Sequence, residues 1–190
     1  LSSTKGGMSD MEKFVETVCF LFKYLEDEYG YSLTYRHDYV EYHRDSIAII
    51  LSYDSSKSCE IRLSFRKINN GSNEPDFGFD ELLNMKGFEI GLANVVHQAK
   101  NDSDIHCILK KLADDFRKYG LEIIECDHSI FDQLEYNRKK ECEAYEAKNR
   151  LMDKRREAQD AWKNKDYSKV ISLYEEIGCE MSTSEEKRLI

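Results

Sequence analysis

Proline is almost missing from this sequence: Pro75 is the only one in 190 residues, and no glycine occurs between Ser129 and Ile177. Without either residue, nothing in that stretch obliges a helix to stop or kink. Paired cysteines are missing as well. Cys19, Cys59, Cys107, Cys126, Cys142 and Cys179 are scattered, with no Cys-x-x-Cys pair and no dense framework. Such spacing suits reduced thiols, so no disulfide and a cytoplasmic setting are expected. No apolar run approaches the roughly 18 residues of a membrane span, so no membrane partner is expected. No Gly-x-Gly-x-x-Gly or phosphate-loop string occurs, which leaves nucleotide binding through a phosphate-cradling turn without support.

What is present is acid, unevenly placed. Residues 1–136 hold 25 Asp and Glu against 15 Lys and Arg, whereas residues 137–190 hold 12 against 13. The net charge of -9 therefore belongs to the first part of the chain. A surface of that sign repels nucleic-acid phosphates and favours a basic protein partner. The length suits one core plus an extension. The opening Leu-Ser-Ser-Thr-Lys-Gly-Gly reads as an added leader, with Met8 the expected natural start.

Residues 46–65 organise the rest. Ile47, Ile49, Leu51 and Tyr53 alternate along one strand and Ile61, Leu63 and Phe65 along another, with Glu60, Arg62, Ser64 and Arg66 opposite them. Period-two alternation around a polar turn at Asp54-Ser55-Ser56 predicts a half-buried antiparallel hairpin. Ser9 and Glu12 form a capping-box pattern ahead of Phe14, Val18, Leu21, Phe22, Leu25 and Tyr29, predicting one covering helix that ends at Gly30. Asp102 or Ser103 is the expected cap of a second, carrying Ile105, Leu109, Leu112 and Phe116. Tyr-rich residues 31–36 and 39–44 read as strands, residues 121–126 as a further strand, and residues 80–85 as a short helix. Residues 69–78 read as a loop and residues 87–98 as ambiguous. The predicted fold is α+β: an antiparallel sheet of four to five strands under two helices (residues 8–128), then a long helix and a helical hairpin (residues 129–190).

The long helix is mostly polar. Ser129 and Asp132 are cap-like, and Ser129 to Asn164 would reach on the order of 50 Å at about 1.5 Å per residue. At its far end Ala161-Trp162 precedes a tight turn. Asp166-Tyr167 then opens a second helix, with Val170, Ile171 and Tyr174 at helical spacing. Residues 161–177 resemble about half of a tetratricopeptide-type repeat, with Val170 where that family usually has Ala. The resemblance implies protein binding. Ser182 and Glu185 offer a capping box for a last short helix. A polar helix orders chain without burying much surface, so a homodimer through this arm is expected. Its expected interface is Tyr145, Leu151, Met152, Trp162, Tyr167, Val170, Ile171 and Tyr174.

Candidate chemistry is sparse. His37 and His43, six apart with Asp38 and Asp45 nearby, are the nearest approach to a metal or acid-base cluster, but their spacing matches no closed zinc pattern. Asp127-His128-Ser129 contains the three triad residue types, yet adjacent residues do not ordinarily build a triad, and Ser129 reads as a cap. Arg138-Lys139-Lys140 and Lys154-Arg155-Arg156 are flanked by acids and read as a solvated helix face. Tyr24, Tyr31, Tyr35, Tyr39, Tyr42 and Tyr53 crowd one part of the chain, either as strand packing or as an interface. No catalytic, metal or cofactor residue is assigned. In being short, acidic, α+β and without catalytic motifs, the chain resembles the small acidic immunity proteins that bacteria pair with toxins. That resemblance implies a non-enzymatic inhibitor of a basic partner; the competing expectation is a small metal-dependent or hydrolytic enzyme using His37 and His43.

Overall fold

The computed structural model describes residues 9–36, 39–69, 72–73, 75–88 and 97–178. His37, Asp38, residues 89–96 of the ambiguous segment, Cys179 and the predicted last helix lie outside the described residues. The chain divides into two compact units, Leu1–Glu135 and Tyr136–Ile190.

The first unit is an α+β domain built on the predicted hairpin, β3 (Ile47–Tyr53) and β4 (Glu60–Asn69). At the turn between them the Asp54 carboxylate accepts the amides of Ser56, Lys57 and Ser58 at 3.1–3.2 Å and the hydroxyls of Ser56 and Ser58. Those donors hold its carboxyl down at about 2. β2 (Tyr39–Arg44) lies on the other side of β3, joined by a tight turn with Asp45 at φ 52°, and β1 (Ser32–Tyr35) pairs with β2. Short pieces β5 (Ser72–Asn73), β6 (Phe77–Gly78) and β7 (His97–Gln98) pair with β4. The order β1-β2-β3-β4-β5 is antiparallel throughout, as the alternation required.

Two helices cover the predicted face. α1 (Asp10–Leu21) starts at the Ser9 and Glu12 capping box and buries Phe14 and Val18. It is shorter than its periodicity suggests: the chain tightens at Phe22 and resumes as α2 (Tyr24–Asp27), because the Leu25 amide bonds the Phe22 carbonyl three residues back. That tighter turn sends Phe22 and Leu25, both fully buried, inward together. Farther along the chain, α3 (Phe79–Met85) matches its expected short helix. α4 (Asp102–Tyr119) is capped by Asn101, one residue before the expected cap, whose side chain accepts the Asp104 amide. Its end is fixed by close approach: a Cβ on Gly120 would lie 2.5 Å from the Phe116 ring.

The predicted strand at residues 121–126 is instead a helical turn, α5 (Leu121–Ile124). Ile123 and Ile124 are adjacent and both fully buried, which one face of a strand cannot arrange and a helical turn can. The Tyr31 hydroxyl completes the turn by donating to the Ile123 and Ile124 carbonyls at 3.0 and 3.2 Å. β-branched composition pointed to strand, and the position of the burial overrode it.

α6 (Ser129–Lys163) begins inside this unit. Ile130, Phe131 and Leu134 are buried there, with Phe131 edge-on to Phe65 and Phe77 at 6.0 and 5.9 Å, so the boundary falls after Glu135 rather than before Ser129. Ser129 is the first helical residue, and Asp127 supplies the cap expected of it by accepting its amide at 2.9 Å.

In the second unit the end of α6 pairs with α7 (Tyr167–Ile177). Lys165 takes φ 59° in the turn and Asp166 caps α7 by accepting the Lys169 amide. Small residues Ala158 and Ala161 let Val170, Leu173, Tyr174 and Ile177 close over them, with Leu151 at the margin. Ion pairs Glu157–Lys169 and Lys154–Glu176, at 2.7 and 2.9 Å, run in opposite chain order and mark the pair as antiparallel.

Two tyrosines separate what a buried hydroxyl is worth. Tyr31→Phe removes one shared donor from two helix-end carbonyls, which keep the Cys126 amide and Arg44 Nη1, and is expected to cost about 1 kcal/mol. The Tyr42 hydroxyl is buried with no hydrogen-bond partner among the described residues. Tyr42→Phe is therefore expected to change stability by less than about 0.5 kcal/mol. Urea unfolding of the two variants checks both values.

Candidate functional site

Because Val40, Tyr42, Ile49, Leu51, Leu63 and Phe65 turn toward the helices, strand register puts Glu41, His43, Ala48, Ile50, Ser64 and Arg66 together on the other face. Glu41 is 3% exposed there, and a carboxylate so enclosed requires a partner. Arg66 supplies it: Nη2 donates to Glu41 Oε1 at 2.7 Å while Nη1 reaches Asp76 Oδ1 at 3.4 Å. One guanidinium thereby ties β2, β4 and the segment leading to β6. His43 Nδ1 lies 3.8 Å from the same Glu41 oxygen, beyond hydrogen bonding. The geometry is that of a brace across the sheet.

The Asp127-His128-Ser129 run is divided among structural tasks. Asp127 is taken up by Ser129, which holds its carboxyl below the usual range, while His128 Nε2 lies 3.1 Å from the Ser46 hydroxyl in the β2–β3 turn. Asp127 and Ser129 meet each other, while His128 is directed to Ser46. Among the described residues, no three His, Cys, Asp or Glu side chains are placed to hold one metal ion, and no helix is long and apolar enough to cross a membrane.

A surface hollow is built where α1 passes the sheet edge. The capping box fixes the first turn of α1, with Glu12 Oε2 accepting the Ser9 amide at 2.7 Å, and burial of Phe14 and Val18 fixes its rotation. Met11, Val15 and Cys19 then form one row beside β1, and Glu12, Glu16 and Phe20 the next row outward. Cys19 Sγ lies 3.5 Å from the Tyr35 hydroxyl. Met11, Glu12, Val15, Glu16 and Tyr35 bound a hollow of about 420 Å³, and Phe20 nearby is 74% exposed. Lys13 is held by Asp102 on α4, and among the described residues no basic side chain pairs with Glu12 or Glu16.

The residues expected at an interface in the second unit separate into two groups. Val170 and Tyr174, each 1% exposed, are spent inside the helical pair, which corrects their assignment to a partner surface: they have almost no area left to offer. Leu151 packs at the margin of that core. Tyr145, Met152, Tyr167 and Ile171 are exposed, and Trp162, 40% exposed, stands edge-on to Tyr167 at 5.5 Å. Met11, Glu12, Val15, Glu16 and Phe20 carry no interface expectation from their sequence positions. Glu12, Glu16 and Phe20, spaced four apart beside the apolar stripe, were the available signal.

If the Arg66 brace carries the Glu41 charge, Arg66→Met should destabilise by about 2–3 kcal/mol, and Glu41→Gln combined with it should recover part of that loss in a double-mutant cycle. A second expectation concerns acid. Burial, then the Lys111 charge, lowers the His97 pKa, so the unfolded chain binds its proton more readily than the fold does. Stability from this group is complete above about 6.5 and is lost as pH falls. His97→Gln should lose less urea midpoint than the parent chain between pH 7.5 and 5.5.

Comparison with protein-family models, with curated proteins and with solved structures finds no match to this chain.

Proposed function

We propose that this chain is a non-enzymatic protein-binding module whose acidic α+β unit takes up a basic protein partner, as an immunity-like inhibitor does, and whose helical pair joins two copies. The observation that carries the reading is the segregation of charge. The unit Leu1–Glu135 holds 25 acidic and 15 basic side chains, and the unit Tyr136–Ile190 holds 12 and 13. A field of one sign on one compact body raises the encounter rate with oppositely charged proteins and disfavours nucleic acid. Tyr145, Met152, Tyr167 and Ile171 are the exposed apolar points from which a homodimer contact would be made.

The runner-up is a metal-dependent or hydrolytic enzyme using His37 and His43, and the placement of His43 beside a buried carboxylate is what favours it. Tagged chain cross-linked in its source cells decides between them. The binding reading expects one basic protein in stoichiometric yield, released by salt, and equal recovery with His37→Ala and His43→Ala. Stoichiometric zinc, iron or manganese on the purified chain, lost in either histidine variant, would replace that reading with the enzyme. Light scattering tests the dimer: a concentration-independent monomer, unchanged on deletion of residues 137–190, would remove it.

A further inference from the structure

We propose that the open edge of β1 and the acidic hollow beside it receive an extended segment of the partner, one carrying Lys or Arg at alternate positions, which adds to the sheet as a further strand. The inference rests on the binding-module reading and names its surface.

The hydrogen-bond pattern makes the edge available. The Arg36 amide bonds the Tyr39 carbonyl at 2.9 Å, which fixes the alternation of the β1–β2 ladder. Thr34 and Ser32, two and four residues back, direct their amides and carbonyls toward β2; Leu33 and Tyr35 direct theirs outward. Among the described residues no other strand pairs with β1. Its sequence, Ser-Leu-Thr-Tyr, carries no lysine or proline, residues that commonly discourage added pairing at an edge.

The same register states what the added strand must look like. Its residues opposite Leu33 and Tyr35 share their face and therefore point toward α1, into the hollow. There they meet the apolar side chains of Met11, Val15 and Tyr35, with Glu12 and Glu16 at the rim. A side chain that is apolar along its stem and cationic at its tip fits both, which is the description of lysine and arginine. Intervening residues point to the opposite face of the sheet, so the cationic positions alternate. Exposed Phe20 extends the apolar wall in the same direction along α1. A partner segment without alternate cations would leave the Glu16 carboxylate unmatched at the rim, so charge and alternation select together.

The test titrates acetyl-Lys-Val-Lys-Val-Lys-Val-amide into the full ¹⁵N-labelled chain. Amide shifts should change at Ser32 to Arg36 and along α1, and Glu16→Lys should weaken binding at least tenfold, with Phe20→Ala weakening it severalfold. The same peptide N-methylated at alternate amides should fail to bind. Equal binding of the Glu-Val peptide, indifference to N-methylation, shifts that map elsewhere or no binding at millimolar peptide would each overturn the proposal. So would concentration-dependent protection of the β1 amides in the free chain, which would make the occupant a second copy. A basic protein partner retained equally by the parent chain and Glu16→Lys would remove this surface and leave the module standing; a chain that takes neither peptide nor basic protein would lose both.

Discussion

The structure depends on β3 being enclosed. It is hydrogen-bonded to β2 on one side and to β4 on the other, and Ile47, Ala48, Ile49, Ile50 and Leu51 are all buried. A strand held at both edges and on both faces has one register, because a slip of one residue would exchange its two faces. That register decides the rest. It sends Tyr42, Phe65 and their neighbours under α1 and α4, puts Glu41 and Arg66 within reach of each other on the far side, and leaves β1 at the margin. The Glu41–Arg66 pair and the β1 edge are consequences of one alternation read on two faces and at one end.

Much of this was legible because period two and period 3.6 are strong signals where one side is buried. The hairpin, α1, α4 and α7 all stand on residues whose spacing announced them. What was not legible depended on neighbours. Ile123 and Ile124 suit a strand by composition, and their helical turn is completed by the hydroxyl of Tyr31, far away in sequence. Val170 and Tyr174 are spaced like any apolar stripe, and spacing does not say whether the stripe faces a partner or Ala158 and Ala161 of the same chain. The hollow beside β1 was invisible for the same reason: Glu12 and Glu16 look like solvated helix surface until Tyr35 is placed beside them.

Charge and fold then bear on function together. The acidic excess belongs to the unit that β3 organises, and the hollow on that unit combines carboxylates without basic partners among the described residues with apolar side chains and outward-facing main-chain groups. Of the residues weighed for chemistry, Asp127 is engaged by Ser129 and His128 lies beside Ser46, whereas His43 stands 3.8 Å from Glu41 and His37 lies outside the described residues.

Residue-resolved hydrogen exchange measures directly whether the outer edge of β1 is unpaired in the free chain. Alternation along the strand is the predicted result: slow exchange at the Ser32 and Thr34 amides, which face β2, and fast exchange at those of Leu33 and Tyr35, which face outward. Protection at Leu33 and Tyr35 equal to that at Thr34, in dilute chain without partner, would contradict it.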